Sequence, residues 1–132
     1  LHGWHYIFRI TVNDPVETKM FVKFSDWLNT AAEPDATVEV NGNTRLLFNS
    51  GAGVGITEAD INNGFSLGNL YSEQTPGAVD ISTVDNNLDK AGRQVQFDVF
   101  TKLPGTTVPG FYTTEFGICT VLAGQTVANC GL

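Results

Sequence analysis

Several features are scarce in this 132-residue chain, and each scarcity narrows the reading. No run of about 18 apolar residues occurs, so no membrane insertion is expected. Basic residues are few: seven Lys and Arg stand against fourteen Asp and Glu, a net charge of -7. Such a surface repels phosphate backbones, so nucleic acid is not an expected partner; the same charge favours solubility and attracts cations. Histidine is confined to His2 and His5. A nucleophile–histidine arrangement would draw its base from a chain end, a poor platform for a group that must be held to within about half an ångström. The glycine-rich SGAGVG (50–55) lacks the Lys-Ser/Thr of a phosphate-binding loop and reads as a turn. No catalytic residue is therefore expected, and the chain is read as a non-enzyme. No initiator Met or signal peptide opens the chain, as in a matured or trimmed product.

Cysteine is limited to Cys119 and Cys130, which bracket CTVLAGQTVANC. Neither has a further cysteine or a nearby histidine with which to hold a metal. A disulfide between them is expected, contributing roughly 3 kcal/mol by constraining the unfolded chain. It implies an oxidising compartment, extracellular or at the cell surface. The alternative is a pair of buried thiols.

What is abundant points to strands. Hydrophobic residues make up 42% of the chain, enough for a core, and the length suits one domain over 1–132. Turn residues punctuate it frequently, and helical periodicity is rare. In WHYIFRITVND, Trp4, Tyr6, Phe8, Ile10 and Val12 all fall on one parity, so a strand would place five large apolar groups on one face. TKMFVKFSDWL puts Met20, Val22 and Phe24 on one face and Phe21 and Trp27 on the other. TVEVNGNTRLLF reads as a hairpin around Asn41-Gly42. RQVQFDVFTKL aligns Val95, Phe97 and Val99, and FYTTEFGICTVL aligns Tyr112, Phe116, Ile118 and Leu122. The middle holds a weak capping-box turn at ITEADI and a short alternating strand at AVDISTV. The expected fold is all-β: an antiparallel Ig-like or jelly-roll-like sandwich of about seven to nine strands.

Candidate sites are sparse. Asp85, Asn87 and Asp89 have the i, i+2, i+4 oxygen spacing that opens a calcium loop, though Lys90 stands where the turn glycine belongs. Ordinary turn chemistry explains the same residues. A glycosidase would need two carboxylates facing across a cleft. Asp98 and Glu115 lie on strands, opposite the apolar set, and read as part of a solvated sheet face. Trp27 breaks the alternation of its strand and is the ring expected to be exposed, where it could stack on a sugar. That makes a carbohydrate-binding module, taking a host or surface glycan, the alternative function.

QVQFDVFTKLPGTTVPGFYTTEFGIC (94–119) resembles the end of extracellular Ig-like domains: an apolar strand, a Pro/Gly loop, then Gly-aromatic opening a long strand. Chaperone–usher fimbrial subunits are similar here and also end near a late cysteine. Where antibody domains carry a tyrosine two residues before the cysteine, Gly117 stands. The fimbrial resemblance implies a secreted structural or adhesive subunit of a pilus or surface fibre. Its copies or related subunits would be joined by strand addition. Trp4, Tyr6, Phe8, Ile10 and Val12 have the period of a donated strand, and equally that of a strand pairing within its own chain.

Overall fold

The computed structural model describes residues 3–11, 17–48, 58–74 and 94–131. Nine antiparallel strands lie among them: β1 (Gly3–Thr11), β2 (Glu17–Phe24), β3 (Trp27–Asn29), β4 (Ala36–Val38), β5 (Thr44–Phe48), β6 (Phe65–Ser66), β7 (Ser72–Glu73), β8 (Gln94–Lys102) and β9 (Phe116–Leu122). One helix, α1 (Glu58–Asn63), and a closing 3-10 turn, Val127–Cys130, complete the set. The strands form three sheets, in the orders β1-β8-β5-β6, β7-β2-β9 and β3-β4. None of the described helices is long and apolar enough to cross a membrane.

Alternation explains which faces meet. Met20, Val22 and Phe24 of β2 pack in one cluster with Val95, Phe97 and Val99 of β8 and Leu46 of β5. Every one of these is at most 2% exposed. β8 is the centre of this arrangement, paired along its length with β1 and along five residues with β5. Phe8, Phe97 and Phe48 form one row across these three strands. The row is a ladder of rings, with Phe8 stacked on Phe97 at 5.3 Å and Phe48 edge-on to it at 6.3 Å. Cross-strand aromatic pairs of this kind hold the register, since a one-residue slip would turn every ring outward.

The outer face of the β2 sheet is also covered. Phe21 lies opposite Cys119 in the β2–β9 register and is 5% exposed. The disulfide Cys119–Cys130 forms, tying the 3-10 turn back onto β9. Thr126 caps that turn: its hydroxyl accepts from the Ala128 amide, and Asn129 Oδ1 accepts from the Thr126 amide. Lys19 Nζ donates to the Gln125 carbonyl at 3.1 Å, fixing the same segment from β2. Gly117 has a local reason. A Cβ there would stand 2.4 Å from the Tyr71 hydroxyl, whose ring also receives Lys23 Nζ at 4.5 Å from its centroid.

Three expected elements differ. FYTTEFGICTVL is a strand only from Phe116, so Tyr112 lies outside β9. TKMFVKFSDWL is not one strand, because the chain leaves the β2 sheet at Ser25 and Asp26. Asp26 Oδ1 accepts from the Val40 amide, while Ser25 bonds to the Thr114–Glu115 segment. These side-chain bonds to backbone replace ladder bonds. The Asn41-Gly42 turn exists, with Gly42 at φ +80°, but the flanking strands do not pair with each other. β4 pairs with β3 and β5 with β8, so the turn connects two sheets. Asn41 keeps a negative φ, which excludes the type I′ geometry.

Candidate functional site

The first strand pairs with β8 of its own chain, in register from Gly3–Lys102 to Thr11–Gln94. Trp4, Phe8 and Ile10 face inward and pack on the core. Tyr6 shares their face but is 42% exposed, lying flat on Trp27 at 5.7 Å. Val12 lies outside the described residues. Among the described strands, β1 is an edge of the four-stranded sheet and β9 an edge of the three-stranded one. Phe8 joins these two edges, with its ring 5.0 Å from Phe116 of β9. Along this side stand Tyr6 and Phe116 (53% exposed) from the inner faces and Ile7 (60%) from the outer face of β1. Neither strand carries an acidic residue: β1 has His5 and Arg9, and β9 has no charge. In a chain of net charge -7, this side is apolar with a slight positive bias.

The opposite face of β8 is not solvated, which corrects the expectation for Asp98. Gln96, Asp98 and Phe100 are each under 9% exposed, and side chains of β1 lie against them: His5 on Asp98 and Phe100, Arg9 on Gln96. Asp98 Oδ1 lies 3.0 Å from His5 Nε2, and among the described residues its Oδ2 has no hydrogen-bond partner. One register step along, Arg9 Nε donates to Gln96 Oε1 at 2.8 Å. Glu115 does not share this cluster; it precedes β9 and is exposed. The two carboxylates therefore do not face each other across a cleft. His5→Ala should cost about 1–3 kcal/mol by leaving a buried carboxylate unpaired. Asp98→Asn in the His5→Ala background should recover part of that loss in urea denaturation, since a neutral amide is cheaper to bury. No recovery would contradict the pairing.

Trp27 is buried at 6% exposure, which corrects the expectation that it offers a ring to solvent. The break at Ser25–Asp26 resets the parity, so Trp27 turns into the core. Its Nε1 donates to Thr101 Oγ1, which is in turn 3.1 Å from Thr44 Oγ1. Trp4 covers it at a centroid distance of 4.7 Å, and Tyr112 lies 5.3 Å from Trp4. The exposed ring nearby is another one: Phe111, 95% exposed.

Phe111 stands at a groove of about 560 Å³ between the β3–β4 connection and the loop that follows β8. Asn29, Glu33, Asp35, Val108, Phe111 and Tyr112 contribute to its lining. Asn29 is its buried floor: Oδ1 accepts from the Ala31 amide, and Nδ2 lies so close to Gly110 that a Cβ there would be 2.4 Å away. Gly110 has φ +146°, which together with this approach requires glycine. The far wall is internally tied. Thr107 bonds to the Pro104 carbonyl and the Tyr112 hydroxyl donates to the Val108 carbonyl. Paired bonds between Leu28 and Thr113 anchor the loop's exit to β3. A second groove of about 470 Å³ adjoins on the other side of this loop, with Trp4 and Tyr112 in its lining. Among the described residues, no Lys or Arg lines either groove, and the charges there are Glu33 and Asp35.

The sequence reading missed Phe111, Glu33 and Asp35. The adjacent pair Phe111-Tyr112 was the available signal, since two consecutive rings on an extended segment cannot both face the core. Asp85, Asn87 and Asp89, the calcium candidates, lie outside the described residues. Among the described residues, no three His, Cys, Asp or Glu side chains converge as metal ligands. Comparison with protein-family models, curated proteins and solved structures finds no match to this chain.

Proposed function

We propose that this chain is a secreted, non-enzymatic structural or adhesive subunit, built as an Ig-like or jelly-roll-like sandwich and joined to neighbouring copies through strand edges. The observation that carries this reading is the side formed by β1 and β9. Among the described residues, two long sheet edges lie next to each other there, and Tyr6, Ile7 and Phe116 are exposed along them. An edge strand presents a row of unpaired backbone groups and recruits another strand unless it is blunted. β1 has nine residues, and none of the blunting devices of proline, bulge or central lysine interrupts it. Neither strand carries an acid, although exposed Glu115 flanks β9, and this lowers the repulsion that a net charge of -7 would otherwise impose between copies. The disulfide supports an oxidising, extracellular setting.

The opposite sheet edges, β6 and β7, are two residues each. They offer little for a neighbour's long strand. Pairing through the β1–β9 side alone is isologous and closes at two copies, whereas a fibre needs a second, different surface. Since β1 already pairs with β8, a neighbour adds to its outer edge and does not replace it.

The test is the double variant Ile7→Lys, Phe116→Lys. Ile7 is exposed, so stability should change by less than about 0.5 kcal/mol there; Phe116→Lys also gives up ring contacts with Phe8 and Phe24 and should cost about 0.5–1.5 kcal/mol more. Self-association should weaken at least about tenfold, or 1.4 kcal/mol. Association unchanged by these lysines would remove the β1–β9 side from the interface.

A further inference from the structure

We propose that the paired grooves around the Leu103–Tyr112 loop bind a neutral polysaccharide, with Phe111 as the stacking ring and Glu33 and Asp35 as hydrogen-bond acceptors for sugar hydroxyls. The Phe111 groove contains no residue of β1 or β9, and the second groove touches β1 only at Trp4.

The chemistry of the lining selects the ligand class. A volume of about 560 Å³ is within the range of ligand-binding clefts. A Phe that is 95% exposed gains nothing from the fold, yet its backbone lies on a loop pinned at both ends. An apolar ring face is what the flat C–H side of a pyranose requires. Around it, Thr37, Thr106 and the two carboxylates supply donors and acceptors suited to hydroxyls. The absence of Lys and Arg from both grooves disfavours phosphorylated, sulfated and uronic-acid ligands. A cationic peptide is the competing ligand. Glu33 and Asp35 are both exposed, however, and exposed ion pairs are weak. The second groove, reached across the same loop and bearing Trp4 and Tyr112, extends the surface beyond a single sugar ring. An extended amphipathic track of this kind suits a polymer laid along it.

The full chain is run in native gels containing soluble starch, hydroxyethyl cellulose or galactomannan, with alginate as the anionic control. Retardation in at least one neutral gel, and none in alginate, is expected. Phe111→Ala should weaken the retardation constant about tenfold or more, and Asp35→Asn should weaken it less. Because Phe111 is exposed, the variant's thermal unfolding should match the parent's, which separates loss of binding from loss of fold. Ile7→Lys should keep the retardation, so failure of edge pairing and failure of the groove are distinguishable. No retardation in any neutral gel overturns the proposal, and so does equal retardation of Phe111→Ala. Binding of oligolysine by the grooves without sugar binding would assign them to a cationic partner and overturn it as well.

Discussion

Phe97→Ala should lower the free energy of unfolding by about 3–5 kcal/mol, the range for removing a large ring from a close-packed interior. Phe97 is fully buried at the middle of β8, the strand shared by both longer pairings of its sheet. Its ring stacks on Phe8 and meets Phe48 edge-on, so the substitution removes two ring contacts as well as opening a cavity. Val95 and Val99, its neighbours on the same face, are also fully buried and leave little room for collapse into the space. A domain of this size has a total stability of about 5–15 kcal/mol, so the loss is a large fraction of the whole. Urea denaturation measures the change. A loss under about 1 kcal/mol would mean that β8 is not the centre of the core.

Removing the disulfide by Cys119→Ala, Cys130→Ala should cost roughly 3 kcal/mol, from the loop that the bond closes in the unfolded chain. For 132 residues this corresponds to a fall of about 10 °C in thermal midpoint. The effect has a location. Cys119 lies opposite Phe21 on the outer face of the β2 sheet, and the bond holds the Val127–Cys130 turn against that sheet. Release of the turn should expose the outer face, where Phe21 and Val121 are now buried. Scanning calorimetry with and without reductant gives the midpoint. Identical midpoints for the double variant and the parent would show that the closing turn contributes nothing to the fold.

Much of the strand content was legible, and the reasons are local. Val95, Phe97 and Val99 alternate over a run with no turn residue, and they form the core face of β8 as read. Trp4, Phe8 and Ile10 likewise face inward. Cys119 and Cys130 pair as the short separation suggested. The misreadings share one cause, since alternation predicts a face only while the strand continues. Ser25 and Asp26 end β2 by bonding to distant backbone, and the parity of Trp27 inverts. Asn41-Gly42 has the residues of a hairpin turn, but β3 and β8 compete for the two flanking strands and take one each. Asp98 looked solvated because alternation says which way a side chain points, not whether anything covers it. The groove was not legible as a site. Its walls, around Glu33 and Phe111, are more than 70 positions apart, and no local spacing rule connects them.

The central claim is that the β1–β9 side recruits a second copy, and sedimentation equilibrium over a range of concentrations tests it most directly. The account predicts an apparent mass that rises from 14.2 kDa toward twice that value as concentration increases. The Ile7→Lys, Phe116→Lys variant should remain at the single-chain mass throughout. A parent protein that stays at 14.2 kDa at every concentration would contradict the account.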